Sequence, residues 1–142
     1  MKSILKTTTD FLDHYYDEEC QLMVTKYKGF AYSPSQIMEE TIITQNILLM
    51  YQPTLWLVDK SQIQIHYSAN RVVSTISEWV NFVHLTKLMK VAFVTGGNNE
   101  TVHKYVLALL EEYQVRNLGL KTILAVFEDK IQAEEWLLFS VK

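Results

Sequence analysis

Three short segments of this chain are apolar at nearly every position, and helix-like stretches separate them. The segments span residues 54–59, 90–95 and 121–127. Strands that are apolar throughout, rather than at alternate positions, need cover on both faces, and alternating helices supply that cover. The pattern therefore predicts an α/β fold with a largely parallel sheet.

Two earlier segments, 11–16 and 21–28, show partial alternation around a polar stretch at 17–20. Their spacing predicts an antiparallel hairpin with a four-residue loop. Residues 1–9 carry no clear periodicity, and we expect them to form a loosely ordered N-terminal segment. The 142 residues are predicted to form one domain.

Four helices are predicted from start signals and apolar spacing. Ser33 at the N-cap, Pro34 at the first position and Gln36 three residues after Ser33 open the first helix, and Pro53 closes it. Its expected apolar face comprises Ile37, Met38, Ile42, Ile43, Ile47, Leu49 and Met50.

The second helix is predicted to begin near Ser68, the third at Asn98 or Asn99, and the fourth at Asp129. The third helix has a stripe of Val102, Tyr105, Val106, Leu109, Leu110 and Tyr113. The fourth is expected to bury Ile131, Trp136 and Leu137. The predicted order is ββαβαβαβα, a mixed and mostly parallel sheet with helices on both faces.

Composition narrows the classes of function. Hydrophobic residues make up 49% of the chain, and the net charge is −3. Scattered Lys and Arg argue against a nucleic-acid partner. With Cys20 as the lone cysteine, no intrachain disulfide can form, which fits a reducing compartment. No stretch is long enough to span a membrane, and the first residues lack the apolar run of a signal peptide, so we expect a cytoplasmic protein.

Short sequence motifs at the ends of the predicted strands resemble those of the STAS-like superfamily. These motifs are residues 27–30 (YKGF), 57–59 (LVD), 92–94 (AFV) and 127–129 (FED), and the last is followed by 133–137 (AEEWL). The chain is similar to small bacterial proteins of this superfamily, which also includes anti-sigma-factor-antagonist-like and CRAL-TRIO-like members. The resemblance implies a non-catalytic regulatory or protein-interaction module, with a protein partner or a second copy as the binding partner.

In regulatory STAS members, a phosphorylatable serine lies at the start of a helix within an Asp-Ser-Ser-Gly-like phrase. The corresponding residues here are 66–70 (HYSAN), and Ser68 matches that serine. Tyr67 replaces the acid and the glycine is missing. We therefore favour a helix-capping role for Ser68 over a phosphorylation switch.

Polar residues that follow the predicted strands mark one candidate ligand crevice, because open α/β sheets bind ligands beyond the carboxyl ends of their strands. The candidates are Asp59, Lys60, Ser61, His66, Tyr67, Thr95, Gly96, Gly97 and Asn98. Backbone amides of the Gly-rich loop could hold a phosphate or a carboxylate, although no Walker lysine or dinucleotide fingerprint is present. A structural interpretation, in which Asp59 caps a loop and Lys60 is solvated, is the one we favour.

No nucleophile–base pair, metal-ligand spacing or cofactor motif can be named in the sequence. We therefore expect no enzyme activity, no metal and no cofactor. Two hypotheses stay open: an interaction module that binds a protein partner or forms a homodimer, and a binder of a small apolar or anionic ligand in the crevice.

Overall fold

A six-stranded mixed sheet forms the centre of the molecule. The computed structural model describes residues 4–29, 34–62, 79, 81–97, 100–116 and 121–139. The strands are β1 (Ile4–Thr8), β2 (Leu12–Asp17), β3 (Leu22–Tyr27), β4 (Leu55–Asp59), β5 (Lys90–Val94) and β6 (Ile123–Phe127). They lie side by side in chain order, antiparallel from β1 to β3 and parallel from β3 to β6. The predicted hairpin and the three apolar strands are confirmed.

The first strand is a correction to the sequence prediction. Residues 4–8 pair antiparallel with β2, from Ile4 opposite Tyr16 to Thr8 opposite Asp13, with a bulge between Leu5 and Thr7. The sheet therefore begins with three strands rather than two, and this part of the N-terminal segment is regular. Because β1 is an exposed edge strand, it needs no continuous apolar pattern to form.

Three helices have defined bounds: α1 (Pro34–Tyr51), α2 (Glu100–Arg116) and α3 (Lys130–Phe139). Residues 79 and 81–83 are also helical, within the predicted second helix. The Asp129 carboxylate accepts the Ile131 amide at 2.9 Å and caps α3 as predicted. The predicted caps Ser33 and Ser68 lie outside the described residues. No helix in the described part of the chain is long and apolar enough to cross a membrane.

The helices cover both faces of the sheet, as expected. Alternate strand residues, among them Met23, Trp56 and Val91, pack against Ile47 and Leu48 of α1. The stripe of α2 packs against Phe93, Leu124 and Val126 on that same face. The other strand residues pack against Ala133 and Leu137 of α3 on the opposite face. Each connection between parallel strands leads to the next strand in the same direction across the sheet. Because such connections share one handedness, α1 and α2 lie on the same face.

Two helices bury different residues from those predicted. The side chains of Met38, Ile42, Leu49 and Met50, all assigned to the buried face of α1, are exposed. Ile47 is buried as predicted, and Glu40, Thr44 and Leu48 are buried beside it. In α3 the side chain of Ile131 is 65% exposed, and the small Ala133 takes the buried position.

Candidate functional site at the carboxyl ends of the parallel strands

The loops after β4 and β5 meet at the carboxyl edge of the sheet. The Lys60 amide donates to the Val94 carbonyl at 2.8 Å. A Cβ added to Gly96 would lie 3.0 Å from the Ser61 Cβ, so the two loops are in contact. The structure thus brings together six of the predicted crevice residues: Asp59, Lys60, Ser61, Thr95, Gly96 and Gly97. The predicted His66, Tyr67 and Asn98, like Ser68, lie outside the described residues.

Asp59 has the structural role that the sequence favours. Its buried carboxylate accepts the Ser61 amide at 3.0 Å and the Ser61 hydroxyl at 2.6 Å. These two bonds close a tight turn directly after β4. The carboxylate therefore holds the loop in place.

Lys60 is buried rather than solvated, which corrects the prediction for this residue. Its Nζ lies over two aromatic rings, 5.1 Å from the ring centre of Tyr27 and 5.7 Å from that of Tyr105. Among the residues that the structure describes, no carboxylate forms an ion pair with it. Burial lowers the pKa of Lys60 to about 8. Cation–π contacts with the two tyrosines partly replace the lost hydration of the ammonium group.

The Gly-rich loop is fastened to β6. The Thr95 amide donates to the Phe127 carbonyl at 3.0 Å, and the Gly96 amide donates to the Glu128 carbonyl at 3.1 Å. Thr95 is fully buried, and its hydroxyl lies 2.7 Å from Nδ1 of His103. Two of the backbone amides that could have held a phosphate therefore donate to backbone carbonyls instead. The positive charge at this edge of the sheet is that of Lys60.

A second polar cluster, which the sequence analysis missed, lies on the face of β2 that α1 covers. His14 is fully buried, and its Nδ1 lies 3.0 Å from the Thr25 hydroxyl oxygen. The Trp56 indole N–H donates to the same oxygen at 2.9 Å. The Trp56 indole can only donate, so the Thr25 oxygen accepts from it, and the same hydroxyl pairs with Nδ1 of His14 in either tautomer of the neutral ring.

The Nε2 atom of His14 is buried and has no hydrogen-bond partner among the residues that the structure describes. Burial lowers the pKa of His14 to about 4, against a smaller opposing effect of the Asp13 charge. The imidazole is therefore neutral at pH 7. The alternation of Leu12, His14 and Tyr16 along β2 is the signal that could have placed this histidine inside.

Polar groups on the inward face of α1 find partners nearby. The Glu40 carboxylate accepts the Thr9 hydroxyl at 2.6 Å. The Thr44 hydroxyl donates to the Glu40 carbonyl at 2.8 Å, one turn back along the helix. These bonds allow a carboxylate and a hydroxyl to lie where the sequence pattern predicts apolar side chains.

Within the described ranges, no group of three or more His, Cys, Asp or Glu side chains is arranged to hold a metal ion. Comparisons of the chain with protein-family models, with curated proteins and with solved structures found no significant match. Function is therefore argued from the residues of this chain.

Proposed function

We propose that this protein is a non-catalytic regulatory or protein-interaction module of the STAS-like type, and that it pairs with a second copy of itself through α1. The observation that supports this proposal is the apolar outer side of α1. Its buried face combines Glu40 and Thr44 with Ile47 and Leu48, and further large apolar side chains lie on the outer face. An ordinary surface helix carries polar side chains on its outer face.

The exposed apolar residues of α1 form a stripe along the helix. Met38, Ile42 and Leu49 are 66%, 53% and 39% exposed. At about 100° per residue, these three positions lie within about 40° of one another around the helix axis. Met50, at 72% exposure, lies about 80–120° around the axis from these three and widens the apolar surface at the C-terminal end. Large apolar side chains exposed together on a helix offer an interaction surface. We call Met38, Ile42, Leu49 and Met50 the α1 stripe.

The charges around the α1 stripe favour a second copy as the partner. In a two-fold pair the same patch meets itself, so any like charge at its centre would oppose association. Gln45 and Asn46, near the middle of α1, are uncharged, and Glu39 is the exposed charged residue of this helix. An antiparallel α1–α1 contact would therefore bury the stripe without bringing like charges together at its centre.

The sheet supports the STAS-like part of the proposal. An antiparallel hairpin leads into alternating parallel strands and helices, which is the arrangement that the resemblance implies. A cytoplasmic location belongs to the same proposal, because the lone Cys20 cannot form an intrachain disulfide.

The state of two reactive groups is consistent with a non-catalytic role. Burial, with a hydrogen bond from the Cys20 thiol to the Asp17 carboxylate, raises the pKa of Cys20 and disfavours its thiolate form. His14 is buried and neutral. The thiolate that a nucleophile needs is therefore disfavoured at Cys20, and His14 lacks the charge of a histidine general acid.

Sedimentation velocity of the full chain at increasing concentration tests this function. We expect a monomer–dimer equilibrium for the wild type, and a monomer for Ile42→Lys, because the lysine would place a charge in the buried stripe. Ile131→Lys is the matched control: Ile131 is 65% exposed on α3, against 53% for Ile42 on α1, and its substitution should leave the dimer intact. A wild-type monomer at every concentration, or equal disruption by both variants, would contradict the proposal.

A further inference from the structure

Lys60 stands out among the described lysines because it is only 9% exposed and forms no ion pair with any carboxylate in the described part of the chain. Lys28, by contrast, lies 3.2 Å from the Asp13 carboxylate on the surface. Burying an unpaired ammonium group costs several kcal/mol, since the ion loses its hydration. Two cation–π contacts return only part of that cost.

The neighbouring acidic groups do not supply the missing counter-charge. The Asp59 carboxylate is committed to the Ser61 amide and hydroxyl, and strand alternation directs Asp59 and Lys60 to opposite faces of the sheet. The Glu128 carboxylate lies beside the neighbouring loop, with Oε2 3.9 Å from a Cβ added at Gly97, and forms no ion pair with Lys60. The site is thus built around a positive charge that the described part of the chain leaves uncompensated.

We propose that Lys60 anchors a binding site for a small oxyanion ligand, one that carries a carboxylate or a phosphate group. The ammonium group binds the anion, and the rings of Tyr27 and Tyr105, over which the ammonium group lies, supply the apolar lining of the site. The site lies where the β4 and β5 loops meet, at the edge where open α/β sheets bind ligands. It is separate from the α1 stripe, so this proposal does not rest on the proposed function.

An anion that pairs with Lys60 in the folded state must stabilise the fold by mass action. We would measure thermal unfolding of the full chain in increasing sodium phosphate and, separately, sodium acetate, with ionic strength held constant by sodium chloride. For the anion that binds, we expect a saturable rise in melting temperature of roughly 4 °C at ten times the dissociation constant.

Two lysine variants separate a specific site from general salt effects. Lys60→Met removes the charge and keeps the length of the side chain, and we expect the saturable shift to disappear. Lys87→Met removes an exposed lysine that precedes β5, at the opposite edge of the sheet, and should keep the full shift. A response to phosphate alone would identify a phosphate ligand, and a response to acetate alone a carboxylate ligand.

A measurement on the wild type keeps the test independent of whether Lys60→Met folds. Trace acetylation followed by mass spectrometry reports the reactivity of each amine, and we expect a saturating anion to slow acetylation of Lys60 at least fivefold relative to Lys87. The proposal is overturned if neither anion gives a saturable shift, if Lys60→Met keeps the shift, or if Lys60 is not protected.

Discussion

At the scale of single residues, the His14 cluster shows how much the fold depends on a neutral imidazole. The Thr25 hydroxyl links Nδ1 of His14 to the Trp56 indole, while Nε2 is buried without a partner among the described residues. An unpaired buried polar nitrogen costs about 1–3 kcal/mol. Protonation of the ring would add a charge to this apolar region and cost more.

The stability of the protein should therefore fall with acidification. The pKa of His14 is about 4 in the folded state, against 6.5 as its ordinary value. The unfolded chain then binds the proton first, so stability is complete above pH 6.5 and declines as the pH falls towards 4, by about 3 kcal/mol. Urea unfolding between pH 7 and pH 4 measures this decline.

Two variants isolate the contribution of His14 from that of the carboxyl groups. His14→Gln should flatten the decline, because no imidazole remains to be protonated. His84→Gln changes an exposed histidine and should leave the wild-type decline unchanged. Identical pH dependence in wild type and His14→Gln would rule out His14 as the cause.

Gly96 is the glycine that the loop contact requires. Its φ is +75°, and a Cβ there would lie 3.0 Å from the Ser61 Cβ. We expect Gly96→Ala to lower the free energy of unfolding by about 1–2 kcal/mol. Gly97→Ala is the control, since the nearest atom to its added Cβ is 3.9 Å away, and it should change stability by less than about 0.5 kcal/mol. Chemical denaturation compares them, and equal losses would show that the loop contact has no special requirement at Gly96.

Asp59 and Lys60 show which residue roles can be predicted from sequence. The turn at Asp59 is local, because its carboxylate binds the residue two positions later, and the prediction of a loop cap is right. The burial of Lys60 depends on Tyr27 and Tyr105, which reach it from β3 and α2. No local pattern carries that information.

At the scale of elements, continuous apolar strands were predicted well because burial on both faces leaves a strong pattern. β4 and β5 begin and end within one residue of the predicted segments. β1 escaped prediction because an edge strand is exposed along most of its length. α1 was predicted as a helix, but the side that it buries was not.

The α1 error has a physical reason. Apolar residues occur on both sides of α1, so spacing alone gave one broad face. Burial of Glu40 is made possible by Thr9, which lies between β1 and β2 in a region of the chain for which no strand pairing was predicted. The side chains left outside are those of the α1 stripe.

At the scale of the whole molecule, the helix–strand alternation predicted the class of fold, whereas the order of the strands could not be read from periodicity. The sheet runs β1 to β6 in chain order, which places α1 and α2 together on one face and α3 on the other. α1 is the helix next to the antiparallel strands, where its outer face can meet a second copy of the molecule.

Disulfide cross-linking at the centre of α1 tests this pairing most directly. Gln45 lies between Ile42 and Leu49 along the stripe, so an antiparallel two-fold contact brings the two copies of residue 45 together, within reach of a disulfide. In a Cys20→Ser background, we predict that Gln45→Cys oxidises rapidly to a covalent dimer. Glu111→Cys, at an exposed position on α2, should oxidise slowly under the same conditions. If Gln45→Cys cross-links no faster than Glu111→Cys, α1 does not pair with a second copy, and the account of its exposed stripe is contradicted.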